Sequence, residues 1–121
     1  MSKKILVVDD DVQLVDMIHM RLEANGYEVA IAYDGQKALE KVQDQVPDLV
    51  ILDLILPKLP GEEVCREIRK DEKTVNLPII MLTGKASDVD RVVGRVIGAN
   101  YYIPKPFDAD ELLKKVGELL I

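Results

Sequence analysis

The sequence predicts an α/β domain built on a doubly wound, five-stranded parallel sheet with strand order 2-1-3-4-5. Short β-rich apolar runs alternate five times with longer stretches of helical spacing. Three of those runs are continuously apolar, as strands covered on both faces must be. At 121 residues the chain is too short for an eight-fold barrel, which leaves the open sheet as the commoner solution for five βα units.

The first strand is read at Ile5-Leu-Val-Val8, and Leu14, Val15, Ile18 and Leu22 then mark one face of a helix. Glu28-Val-Ala-Ile-Ala32 forms the second strand; Asp34-Gly35 follows, before a helix faced by Ala38, Leu39 and Val42. Leu49-Val-Ile-Leu52 is the third strand, and Pro60-Gly61-Glu62-Glu63 opens a helix buried through Val64 and Ile68. After the fourth strand, Pro78-Ile-Ile-Met-Leu82, Ser87 and Asp90 open a helix with Val89, Val92, Val93 and Val96 on one face and Gly94 inside it. Tyr101-Tyr-Ile103 is the fifth strand; Asp108 and Glu111 open the last helix, which is faced by Leu112, Leu113, Val116 and Leu120.

Composition narrows the function. Residues 1–121 are read as one domain, and 48% hydrophobic with 31% charged residues excludes disorder. With 16 Lys and Arg against 22 Asp and Glu, the formal charge of -6 has the wrong sign for an autonomous nucleic-acid or anionic-membrane binder. The expected partners are proteins or cations. Cys65 is the one cysteine and His19 the one histidine, so zinc chemistry is not expected. Cys65 reads as a packed residue of the third helix, and His19 as structural or solvent-facing. Four apolar residues after Met1-Ser-Lys-Lys are too few for a signal peptide, and no apolar run approaches the roughly 18 residues of a membrane span. A cytoplasmic protein is expected.

Ligands of open α/β sheets bind beyond the carboxyl ends of the strands, where the strand order reverses. Here those positions hold Asp9-Asp10-Asp11 and Asp53, with Thr83 ending the fourth strand and Lys105 following the fifth. Converging carboxylates repel unless a cation sits among them, and magnesium, a hard ion that keeps several waters, suits such a set. A carboxylate beside that metal can attack a phosphoryl group, while the metal and a fixed lysine offset charge on the transferred oxygens. Asp11 reads as a helix cap, and the cations Arg69-Lys70 and Lys114-Lys115 as complements to the helix dipoles late in their helices.

In these elements the sequence resembles the receiver domain of two-component response regulators, in the stand-alone form similar to the chemotaxis regulator. The match spans essentially the whole chain: Asp9-Asp10 after an apolar strand, Asp53 in Leu49-Val-Ile-Leu-Asp-Leu-Ile-Leu-Pro57 with Gly61 following, Thr83 thirty positions on, and Lys105-Pro106-Phe107. The resemblance implies a flavodoxin-like (βα)5 fold and a phosphoprotein of phosphorelay signal transduction. Asp53 would be the phosphoacceptor, receiving its group from the phosphohistidine of a sensor histidine kinase or phosphotransfer protein and holding it as an aspartyl phosphate. The metal ligands for Mg²⁺ would be Asp10 and Asp53 directly, Asp9 through water, and the backbone carbonyl of Ile55. Thr83 and Lys105 would contact the phosphoryl oxygens, the bond before Pro106 would be cis, and Tyr102 would change rotamer with Thr83. The surface of the fourth helix, fifth strand and fifth helix would then bind a downstream target protein. Such a protein catalyses only its own phosphorylation and slow dephosphorylation, and is not a turnover enzyme.

Departures from the family pattern are local. Pro60 and Leu56 alter the loop after Asp53, and Gly84 replaces the usual alanine at the entrance to Asp53. Asn100-Tyr101 stands where dimerising DNA-binding members frequently carry an acidic pair, which argues against that dimer mode. Ile55 and Lys85 occupy the two positions that govern access of water to the acyl phosphate, and the apolar Ile55 predicts slow dephosphorylation. The alternative reading is a receiver-like scaffold that binds a protein partner without phosphorylation. A haloacid-type phosphohydrolase would need a second acid two residues after Asp53, where Ile55 stands, and a flavin carrier a Ser-, Thr- or Gly-rich phosphate loop after the first strand.

Overall fold

The computed structural model describes residues 2–84 and 98–121. The helix read over 89–96, with Ser87, Asp90, Gly94 and the nearby Lys85, lies outside the described residues. Strands β1 (Lys4–Val8), β2 (Glu28–Ala32), β3 (Leu49–Asp53), β4 (Ile79–Thr83) and β5 (Tyr101–Pro104) form one sheet in the order β2-β1-β3-β4-β5. Every pairing is parallel. The described helices are α1 (Val12–Ala24), α2 (Gly35–Asp44), α3 (Gly61–Lys70) and α4 (Ala109–Leu119).

Alternation along the strands divides the core in two. Leu6, Val8, Val50, Leu52, Ile79 and Met81 face α2 and α3, where they meet Ala38, Val42, Val64, Cys65 and Ile68. Ile5, Val7, Leu49, Ile51, Ile80, Leu82 and Ile103 face α1 and α4, meeting Val15, Ile18, Leu22, Leu112 and Val116. Because residues 5–8 of β1, 49–52 of β3 and 79–82 of β4 are buried on both faces, these stretches are apolar without alternation. The helix starts follow the sequence reading: the side chains of Asp11, Asp34 and Asp108 accept from backbone N–H groups of Leu14, Lys37 and Asp110. Pro60 precedes the first residue of α3, whose opening turn holds Glu62 and Glu63.

This frame puts the reversal of strand order between β1 and β3, each paired to the other in register from Ile5 with Leu49 to Val8 with Leu52. The carboxyl ends of the three central strands therefore lie side by side.

Candidate functional site

Asp9 directly follows β1, and its N–H donates to the Ala32 carbonyl at 3.2 Å, which extends the β1–β2 ladder by one step. Asp53 ends β3 and pairs with Leu82, so Thr83 lies one residue beyond it on β4. The Lys105 N–H donates to the Thr83 carbonyl at 2.6 Å and carries the chain from β5 over the same edge. The Lys105–Pro106 bond is cis.

Four side chains meet there. Carboxylate oxygens of Asp9, Asp10 and Asp53 lie within 4.8 Å of one another. Lys105 Nζ donates to Asp9 Oδ2 at 2.8 Å and to Asp53 Oδ2 at 3.2 Å. Asp9 is 0% and Asp53 5% exposed, whereas Asp10 is open to solvent. The remaining oxygens take backbone donors: Asp11 N–H reaches Asp9 Oδ1 at 2.9 Å, and Ile55 N–H reaches Asp53 Oδ1 at 3.3 Å.

Burial pushes the Asp53 carboxyl above its ordinary value, and the neighbouring Asp9 charge adds to this, against the opposing Lys105 and the Ile55 N–H. For Lys105, burial disfavours the ammonium, but the hydrogen bonds and charges of Asp9 and Asp53 outweigh it and raise its pKa. Lysine therefore stays protonated between the two acids. Three acids against one ammonium still leave an excess of negative charge and a wet side at Asp10, the donor set of a hard divalent cation.

The loop leaving Asp53 turns tightly into α3. The Gly61 N–H donates to the Leu54 carbonyl at 2.9 Å, and a Cβ on Gly61 would run into the Asp53 carbonyl oxygen, so only glycine fits. Ile55 stands out from this loop, 75% exposed. Thr83 is 1% exposed. Its partner across the ladder is Pro104, two residues after Tyr102, which pairs with Met81; Tyr102 and Thr83 thus project from the same face of the sheet. Tyr102 is half-buried against the α2–α3 side of the core.

The other singled-out residues take structural places. Asp11 caps α1 by accepting from Leu14 N–H at 3.2 Å. Cys65 is buried in the core. His19 lies 3.2 Å from Glu23, one helical turn away on α1. Lys115 stacks on the Tyr101 ring at 4.5 Å, and the Tyr101 hydroxyl donates to Glu118 at 3.0 Å, which joins β5 to α4.

Arg69 does more than its sequence reading as a dipole complement. Its guanidinium donates to the carbonyls of Gly98, Val75 and Leu77 and to Asn100 Oδ1, and Asn100 Oδ1 also accepts from Ile79 N–H at 2.9 Å. Arg69 and Asn100 together tie the end of α3 to the starts of β4 and β5. The two residues are 31 positions apart, and no local pattern announces the pair.

Residues 5–117 match the family model of the response regulator receiver domain. The chain belongs to this family. Solved structures agree along its whole length. A CheY-like response regulator receiver domain protein from Methanospirillum hungatei JF-1 is 36% identical, with a TM-score of 0.91, over 99% of this chain and 94% of that one. The chemotaxis response regulator CheY4 of Vibrio cholerae is 34% identical with a TM-score of 0.93, over 99% and 100%. The receiver domain of a sensor histidine kinase from Pseudomonas aeruginosa PAO1, described with a magnesium ion coordinated in its active site cleft, is 33% identical with a TM-score of 0.91, over 99% and 98%. As a receiver domain this protein is a signalling module of two-component systems and not an enzyme in the usual sense. Among the described residues no helix is long and apolar enough to cross a membrane.

Proposed function

We propose that this receiver domain is a phosphorylation-activated switch with Asp53 as its phosphoacceptor. The observation that carries the reading is the cluster itself: three carboxylates within 4.8 Å of one another, two of them held by one lysine. Asp10 and Asp53 would hold Mg²⁺ directly, with Asp9 acting through water and the Ile55 carbonyl as a further oxygen. The related kinase receiver with magnesium in its cleft supports this assignment. When bound, the ion would supply positive charge to the oxygens of the transferring group.

An Asp53 oxygen attacks the phosphorus of a phosphohistidine on a sensor kinase or phosphotransfer protein. The new P–O bond forms as the P–N bond breaks, and the electron pair leaves on the imidazole nitrogen. Lys105 is already placed 3.2 Å from Asp53 Oδ2, so its ammonium meets an oxygen of the incoming group without reorganising. The Thr83 hydroxyl takes another, and Tyr102, on the same face, follows it. The surface around β5 and α4, with the helix read over 89–96, then changes its affinity for a downstream protein.

The test is intact mass after incubation with acetyl phosphate and Mg²⁺, beside an Asp53→Asn variant and an EDTA control. One added phosphoryl group on the parent alone, and only with metal, is expected. A parent that stays unmodified, and also fails to bind beryllofluoride, would support the phosphorylation-independent scaffold instead.

A further inference from the structure

The loop from Leu54 to Pro60, which links Asp53 to α3, is braced from outside by α2. Within it, Leu59 N–H donates to the Pro57 carbonyl at 2.7 Å, closing a three-residue turn around Lys58, whose φ is +67°. A γ-turn with a positive-φ, non-glycine centre is strained and persists only where its surroundings hold it. The start of α2 does so. The Gly35 N–H donates to the same Pro57 carbonyl at 3.2 Å. The Leu59 carbonyl lies so close to the Gly35 Cα that a Cβ there would collide with its oxygen, a backbone atom that cannot rotate away. Asp34, the cap of α2, is 3.8 Å from Lys58 Nζ.

We propose that Gly35 is a positioning residue for the metal site, although it is not one of the acids that would hold the ion. By letting the backbone of residues 57–59 seat on α2, it holds Ile55 where its carbonyl can serve as an oxygen ligand and its N–H can reach Asp53 Oδ1. This rests on the magnesium reading proposed above. Supports one shell removed from a metal set its affinity through the ligands they orient.

The experiment is calorimetric titration of Mg²⁺ into the parent, Gly35→Ala and Val116→Ala, the last a core truncation on the opposite face of the sheet. Gly35→Ala should weaken Mg²⁺ binding by about tenfold or more. Val116→Ala, although also less stable, should bind Mg²⁺ like the parent. Parental affinity in Gly35→Ala, or an equal loss in both variants, would overturn the inference. A parent that binds no Mg²⁺ would overturn the magnesium reading itself. The parent also offers a direct test by amide NMR that needs no variant. The Gly35 resonance should move with the same Mg²⁺ midpoint as that of Ile55, and a Gly35 amide unmoved while Ile55 shifts would overturn the proposal.

Discussion

The Lys105 ammonium lies 2.8 Å from Asp9 and 3.2 Å from Asp53, joining residues 96 and 52 positions away in the chain. Since Asp9 has no exposure, this lysine is the counter-charge that makes its burial tolerable. Lys105→Met should destabilise the metal-free protein by about 3 kcal/mol, because both acids lose their partner. The raised pKa of Lys105 means that its contribution is complete below its ordinary value of 10.5 and is lost only as pH rises through the higher folded value. The deficit should therefore be constant across neutral pH. Urea denaturation with and without Mg²⁺ checks this, with the ion expected to restore part of the loss.

Asp53 has the opposite effect on the metal-free protein. With its folded pKa raised, it adds stability only while protonated, below its ordinary value of 3.8, and that contribution is lost as pH rises through the folded value. At neutral pH the ionised Asp53 costs stability. Asp53→Asn should stabilise the metal-free protein by about 1 kcal/mol at pH 7, less as the pH approaches 4, and little once the parent is saturated with Mg²⁺. Thermal melts at several pH values would show it.

Ile55 is almost free of packing, so changing it probes chemistry with little effect on folding. An apolar side chain cannot hold an attacking water beside the acyl phosphate. Ile55→Asn can, and should speed phosphoryl loss by about tenfold, equivalent to about 1.4 kcal/mol in the barrier. The check is the decay of phosphorylated intact mass in parent and variant; equal decay rates would reject a role for this side chain.

Arg69 anchors three parts of the fold through a planar fork of donors. Arg69→Ala should cost about 2 kcal/mol, since partly buried carbonyls of Gly98 and Leu77 lose their donor. Arg69→Lys should recover less than half of that, because one ammonium cannot span the same acceptors. Equilibrium denaturation of the two variants measures both values.

The order of elements was legible in the sequence because burial on two faces forces the buried stretches of β1, β3 and β4 to be apolar without alternation, while the helices keep a 3.6-residue rhythm. Asp9, Asp10, Asp53, Thr83 and Lys105 were legible for a related reason: each stands at the carboxyl end of a strand, and parallel pairing carries all such ends to one edge. Helix caps at Asp11, Asp34 and Asp108 depend on neighbours two or three residues away, so they too could be read locally.

Other features depended on contacts between distant segments. Nothing near Arg69 in the chain distinguishes it from Lys70, yet Arg69 reaches Asn100 while Lys70 pairs with Glu67 one turn away. Gly35 reads as helix punctuation until Leu59 comes to rest on it. The sequence by itself determined which residues face the core and which stand at the strand ends, since hydrophobic periodicity and chain direction are local properties. Only the tertiary structure decided which acids share Lys105 and which helix holds the loop after Asp53, because those relationships exist only between segments that packing brings together.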